Sequence, residues 1–170
     1  MLLNRRLFLA GTTMTCFAVK ALPGTADAAG SSGRPILTMI TRSEGTTPTK
    51  IRLNRHDFTN LGLSVLETQT PWTEGVKRFE GVWGHQLLAH ANTEGTEAIA
   101  TAINDYSVSI PVDDFVEGSI FFAISVDGKP LTTRTKGPVW AIYPFSDNQS
   151  FLDPVYQARA IWQLKSLEFK

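Results

Sequence analysis

Cysteine is nearly absent from this chain, since only Cys16 among its 170 residues carries a thiol. That residue lies in an N-terminal stretch that is interpreted below as a removable export leader. Without cysteine, the mature domain has no disulfide and depends on its apolar core for stability. The same lack leaves the mature chain without a thiolate, the protein ligand that soft metals prefer.

Runs of one charge are missing as well. Lysine and arginine together number 16, as do aspartate and glutamate, so the formal net charge is zero. The sequence has no basic run or basic amphipathic helix of the kind that binds nucleic acid or a membrane surface. An apolar stretch over residues 7–22 is too short and too polar to span a membrane. We therefore expect no nucleic-acid partner and no direct insertion into a membrane.

The first 28 residues resemble a twin-arginine export signal. Arg5 and Arg6 precede the apolar stretch, and Lys20 near its end fits this type of leader better than a general secretory one. Ala26-Asp27-Ala28 offers the small residues that a signal peptidase requires. A general secretory leader remains the alternative. Cleavage near Ala28 predicts a periplasmic protein.

Removal of this leader leaves 142 of the 170 residues, enough for one domain with its own core and too few for two. The leader contains three basic residues and one acidic residue, so 13 basic and 15 acidic residues remain and the mature net charge is −2. Residues 29–35 are small and glycine-rich, which predicts a flexible linker. One domain is expected over residues 36–170.

The apolar pattern of this domain predicts an α+β fold built mainly on sheet. One clear helix is expected from residue 82, where Leu87, Leu88 and Ala91 share a face, and Asn92 to Gly95 supplies its stop signal. Runs of β-branched and aromatic residues predict the strands. The expected strands cover residues 36–41, 50–53, 65–72, 76–80, 98–103, 107–110, 119–126, 139–143 and 161–169, and a brief helix covers 57–62.

The histidines and acidic residues lack the spacing of a metal site or a hydrolytic site. His85 and His90 are five residues apart and face different directions on a helix, whereas ligating pairs need a spacing of three or four. His56 is isolated. Asp113 and Asp114 are adjacent, which favours a turn or a helix cap over a carboxylate pair. We predict no metal ligand and no catalytic residue.

Two short clusters in the second half are candidates for ligand binding. Asn104-Asp105-Tyr106 follows a predicted strand, and on its own it favours a turn because Asn and Asp bond to their own backbone. Lys136-Gly137-Pro138 bends the chain, and Lys136 could simply be solvated. Ligand contact is the alternative for the first cluster, and it competes evenly with solvation for the second.

Arg159 and two tryptophans complete the candidates. Arg159 could bind an anionic group with both arms of its guanidinium, or it could form a surface ion pair, for example with Asp153. Trp72 lies at an expected hairpin rim, where an exposed indole could stack on a flat ligand or pack on its own turn. Trp162 belongs to an expected alternating strand and is predicted to lie in the core.

The order and spacing of these clusters resemble the molybdopterin-binding oxidoreductase domain, the fold of sulfite oxidase. The resemblance extends over most of residues 36–170 and includes the hairpin around Asp127-Gly128. It implies a pterin pocket in which Asp105 accepts the paired donors of the ligand and Asn104 binds its carbonyl edge. It further implies that Gly137 allows close backbone approach to the flat ligand. The implied ligand-binding residues are Trp72, Asn104, Asp105, Tyr106, Lys136, Gly137, Pro138 and Arg159.

The resemblance also bears on metal and function. Metal-bearing relatives carry the molybdenum-ligating cysteine on a loop whose place is taken here by Thr68, Gln69 and Thr70, none of which is a soft ligand. The cysteine-free branch resembles periplasmic pterin-binding regulators of inner-membrane cyclic-di-GMP enzymes. This implies a metal-free pterin and a membrane receptor as partner. Two alternatives stay open: a molybdopterin-dependent oxidoreductase with a non-cysteine ligand, and a scaffold with an empty pocket.

Overall fold

The computed structural model describes residues 33–42, 47–93 and 95–170. The expected export leader, Cys16 and most of the expected linker lie outside the described residues, so those predictions stay predictions. Within the described part of the chain, no helix has the length and apolar character needed to cross a bilayer.

The described residues form strands and short helices in the following order. The elements are β1 (Leu37–Thr41), β2 (Thr49–Leu53), α1 (Arg55–Asn60), β3 (Ser64–Thr68), β4 (Lys77–Trp83), α2 (Gly84–Ala91), β5 (Glu97–Ala102), β6 (Ser107–Pro111), β7 (Phe121–Val126), β8 (Lys129–Pro130), β9 (Trp140–Ile142), α3 (Pro154–Arg159) and β10 (Leu164–Phe169). Two 3-10 helices cover Val112–Phe115 and Gln149–Leu152. This is one compact α+β domain that is mainly β, as predicted.

The first sheet has the strand order β2-β1-β10-β5-β6. Its C-terminal strand β10 lies in the middle, parallel to β1 and antiparallel to β5. Every second residue of β5 is buried, namely Ala98, Ala100 and Ala102. Because residues two apart on a strand share a face, this sheet buries one side and leaves the other more open.

The second sheet has the order β3-β4-β7-β8, and β9 also pairs with β7. It is buried on both faces around β7. Phe122 belongs to the large core cluster that includes residues of the first sheet, whereas Phe121 belongs to a smaller cluster. Strand β9 alternates in the same way, with Ala141 in the large cluster and Trp140 in the small one. The apolar run 139–143 therefore forms the buried strand that was predicted.

The helix ends follow local side-chain chemistry. Asn54 caps α1 by accepting hydrogen bonds from the backbone N–H groups of His56 (2.8 Å) and Asp57 (3.0 Å), and the Asp57 carboxylate accepts from the Asn54 N–H in return. Helix α2 ends at Asn92, which adopts the left-handed conformation with φ of 47°. The stop signal predicted after residue 91 is confirmed.

Two predicted strands have different bounds in the structure, and one helix was not predicted. The strand expected over 65–72 ends at Thr68, because the chain turns at Thr70, whose carbonyl accepts from the Thr73 N–H at 3.2 Å. The strand expected over 161–169 begins only at Leu164. Helix α3 was missed, although Asp153 accepts from the Val155 N–H as N-cap and Pro154 occupies the first helical position.

Candidate functional site

An open cleft of about 330 Å³ is the candidate site, and we call it the aromatic cleft. Its walls come from the turn after β3, the β5–β6 turn, α3 and the segment before β10. The side chains that line it and bear on ligand binding are Trp72, Asn104, Tyr106, Gln157 and Trp162. Its volume falls at the lower end of the range of about 300–1,000 Å³ typical of small-molecule sites.

Trp72 lies at the centre of an aromatic cluster at this cleft. Its ring centroid is 5.6 Å from that of Trp162, 6.0 Å from Phe145 and 6.1 Å from Trp140, in edge-to-face arrangements. The turn that carries it is tied by a hydrogen bond from the Trp72 N–H to the Thr70 hydroxyl at 3.2 Å. Trp72 therefore packs on its own surroundings, as one interpretation of it predicted, and it also lines the cleft. Its stacking on a ligand stays a prediction.

Trp162 corrects the prediction of a core tryptophan. Its side chain is 37% exposed, it precedes β10, and it lines the aromatic cleft. The next residue, Gln163, adopts a left-handed backbone with φ of 53°, which breaks the strand alternation. Its N–H donates to the Lys136 carbonyl and its carbonyl accepts from the Ile103 N–H, both at 2.9 Å. Gln163 thus fixes Trp162 at the cleft, a role that the sequence pattern did not reveal.

Lys136 lies against the aromatic cluster and is not simply solvated. Its Nζ is 4.1 Å from the centroid of the Trp162 ring and 5.2 Å from that of Trp140. An ammonium is attracted to the negative face of an indole, most strongly where water is excluded. Burial lowers the pKa of Lys136 from its ordinary value. The residue therefore holds a partly desolvated positive charge beside the cleft.

Gly137 meets its own chain at close range. A Cβ at this position would lie 2.5 Å from the Leu131 carbonyl carbon and 2.6 Å from the Thr132 nitrogen. The Gly137 N–H also donates to the Thr132 carbonyl at 2.7 Å. The glycine is thus required by contact with the 131–132 backbone, whereas the predicted contact was with a flat ligand. Pro138 lines a different, larger cleft.

The Asn104-Asp105-Tyr106 cluster is divided by the structure. Asn104 and Tyr106 line the aromatic cleft, and the Asn104 side-chain oxygen accepts from the Tyr106 N–H at 3.2 Å, as in the predicted turn. Asp105 has a left-handed backbone with φ of 66°, and its carboxylate forms an ion pair with Lys165. The Asp105 side chain is 84% exposed and is not part of the cleft lining. A pterin in the aromatic cleft would therefore meet the side chain of Asn104, while the Asp105 carboxylate points to Lys165.

Arg159 forms an ion pair, but not with Asp153. Its Nη1 donates to the Asp114 Oδ2 at 2.9 Å, and the Tyr143 hydroxyl donates to the same oxygen at 2.8 Å. Asp153 instead caps α3. The partly buried Asp114, in the first 3-10 helix, therefore connects α3 with Tyr143, the residue after β9. This ion pair occupies Nη1 of Arg159.

Ionisation of the Tyr143 hydroxyl is expected to lower the free energy of unfolding at alkaline pH. Burial, and then the negative charge of Asp114, raise the pKa of Tyr143 above its ordinary value near 10. Since the unfolded chain loses this proton first, the contribution is complete below about pH 10 and declines above it, at up to about 1.4 kcal/mol per pH unit. Urea unfolding across this range should show a shallower decline in Tyr143→Phe. An unchanged slope in the variant would contradict the assignment.

The residues at the expected metal-ligand position do not fit molybdenum. The Thr68 hydroxyl is fully buried, donates to the Gln69 carbonyl at 3.0 Å, and accepts from the Ser146 N–H at 2.9 Å. A hydroxyl oxygen is a hard metal ligand, unlike a thiolate, and this hydroxyl is already hydrogen-bonded. Among residues 33–42, 47–93 and 95–170, no group of three or more His, Cys, Asp or Glu side chains is placed to hold a metal ion.

Comparison with known proteins assigns neither a family nor a function to this chain. No protein-family model matches the sequence. No curated protein matches it at a significant level either.

Proposed function

We propose that this protein binds a pterin without metal in the aromatic cleft, and that it acts in the periplasm as a regulator of an inner-membrane cyclic-di-GMP enzyme. The observation that carries the proposal is the convergence of Trp72, Asn104, Tyr106 and Trp162 on one cleft. These residues come from distant parts of the chain. The convergence also supports a sulfite-oxidase-like fold, because the resemblance assigned three of the four to one pocket.

The chemistry of the lining suits a flat heterocycle with a polar edge. Aromatic rings bury such a ring and favour offset or edge-to-face geometry. The carboxamides of Asn104 and Gln157 can donate to a carbonyl and accept from an amino group, the two functions that a pterin edge presents.

A regulatory role requires that the pterin change the affinity for a partner. A ligand that binds two states equally shifts neither, so the pterin-bound and pterin-free forms must differ in their affinity for the receptor. Tyr106 and Trp162 offer a direct route to such a difference, because both line the cleft and remain 50% and 37% exposed. A pterin stacked on these rings would alter the surface offered to the periplasmic part of a membrane receptor.

The first test is the small molecule that the protein carries. The full-length protein, expressed with its leader and isolated from the periplasm under reducing conditions, is expected to release a fluorescent pterin on denaturation in about a one-to-one ratio. Mass spectrometry identifies it, and elemental analysis measures molybdenum in the same sample. Absence of any pterin, together with failure to bind an added reduced pterin, would contradict the proposal. Stoichiometric molybdenum would instead favour the oxidoreductase.

A further inference from the structure

A second cleft, of about 830 Å³, lies next to the aromatic cleft, and we call it the basic cleft. Ile103 lines it, whereas the adjacent Ala102 and Asn104 line the aromatic cleft. Pro138 also lines it, and Lys136, two positions earlier, lies over the Trp162 ring. The segment 102–104 therefore lines both clefts. None of the residues discussed for pterin binding lines the basic cleft except Pro138.

The lining of the basic cleft carries charge of one sign. Arg34, Arg55, His56 and Lys165 contribute basic side chains, and Thr132 and Thr133 contribute hydroxyls. No aspartate or glutamate belongs to the lining among the described residues. Clefts lined by one sign of charge attract ions of the opposite sign more strongly than a flat surface does.

Arg55 is the fixed cation of this cleft. Its Nη1 donates to the Ile124 carbonyl at 2.8 Å and its Nη2 donates to the Leu131 carbonyl. These bonds use two of the five N–H donors of a guanidinium and leave the charge without a carboxylate partner among the described residues. Burial lowers the pKa of Arg55, which reflects the cost of holding this charge away from water. An anion in the cleft would offset that cost.

Lys165 is an exposed cation of this cleft. Its ammonium pairs with the Asp105 carboxylate, but both side chains are exposed, 43% and 84% respectively. An exposed ion pair of this kind contributes little to stability, so the Lys165 ammonium can bind an incoming anion with little loss of free energy. Thr132 and Thr133 also line the cleft, and the Thr132 hydroxyl lies 3.1 Å from the Thr135 hydroxyl.

We propose that the basic cleft binds a small organic phosphate. A phosphate offers more acceptor oxygens and more negative charge than a carboxylate, and it suits the two cations, Arg55 and Lys165, and the threonine hydroxyls that line the cleft. The volume exceeds the need of an inorganic ion, and Ile36, Leu131 and Pro138 provide apolar wall for the body of the ligand. The phosphate group lies at Arg55 and Lys165, and the organic part lies on this apolar wall.

Calorimetric titration of the full chain with phenyl phosphate tests the site, because this probe joins a phosphate to a flat apolar ring. We expect binding that weakens about tenfold or more in Lys165→Gln and in Arg55→Gln, since each loses a charge-assisted hydrogen bond. Lys165 is exposed, so its variant should fold normally even if Arg55→Gln does not. Lys129→Gln removes an exposed positive charge from β8 and is the matched control, with a change below about twofold.

Three outcomes would overturn the proposal: no binding by the wild-type chain, equal weakening in Lys129→Gln, or tighter binding of benzoate than of phenyl phosphate. A parallel arm separates two sources of the same chemistry. Sedimentation with phosphatidic acid vesicles, lost in Lys165→Gln, would assign the phosphate to a lipid headgroup. Binding of phenyl phosphate without vesicle binding would assign it to a free small molecule.

Discussion

Trp162→Ala is expected to weaken the binding of a reduced pterin about tenfold or more. Stacking of a base on an aromatic side chain contributes about 1–3 kcal/mol, and Trp162 offers a partly exposed ring at the aromatic cleft. The change also removes the ring nearest the Lys136 ammonium. Anaerobic calorimetric titration with tetrahydrobiopterin measures the effect. Because Trp162 is exposed at its outer side, the loss of stability should be smaller than for a core tryptophan.

Trp83→Ala is the matched control for this prediction. Trp83 is also partly buried, but it packs on Phe121 with ring centroids 4.9 Å apart and does not line the aromatic cleft. Its loss is expected to lower stability while the folded protein keeps its pterin affinity within about twofold. Equal weakening by the two variants would mean that the tryptophans act through folding alone, and that the ligand lies elsewhere.

Gly137→Ala is expected to reduce the free energy of unfolding by about 3 kcal/mol, near the upper end of the usual cost of overpacking. The added methyl group would meet the backbone of Leu131 and Thr132 at 2.5–2.6 Å, and backbone cannot rotate away as a flexible side chain can. A loss of this size corresponds to a fall in Tm of roughly 6–12 °C for a domain of this length. Urea and thermal unfolding measure it directly.

Gly128→Ala separates crowding from backbone conformation. Gly128 has a φ of 72° with no atom within 4 Å of an added Cβ, so alanine there bears only the cost of a left-handed backbone, about 1–2 kcal/mol. Gly137 does not have a positive φ, so its cost comes from contact alone. If Gly137→Ala proved no more destabilising than Gly128→Ala, the 131–137 contact would be looser than the structure describes.

Much of the fold could be predicted because its signals are local. The apolar run at 139–143 forms a strand buried on both faces, and Asn92 ends α2 through its left-handed conformation. The short helix α3 escaped prediction because six residues give too little periodicity, even though Asp153 and Pro154 carry start signals. Strand order was not predicted at all, since the position of β10 beside β1 depends on pairing between opposite ends of the chain.

The candidate site was predicted less completely. Trp72, Asn104 and Tyr106 were identified, and all three line one cleft. Trp162 was assigned to the core because strand alternation was counted through Gln163, whose left-handed backbone interrupts it. Asp105 was recognised as a turn residue, but which way its carboxylate points depends on Lys165, which is 60 positions away.

The sequence alone determined the class of this molecule: a mainly β α+β domain whose only cysteine is Cys16, so that its stability depends on apolar burial. Composition and short-range periodicity suffice for this, because they reflect the energetics of neighbouring residues. Only the tertiary structure decided which side chains share a cleft. The backbone of Gln163 and the ion pairs of Arg159 and Asp105 each depend on a partner more than 25 positions away. The contact at Gly137 is closer in sequence, but it depends on how the chain folds back on residues 131–132.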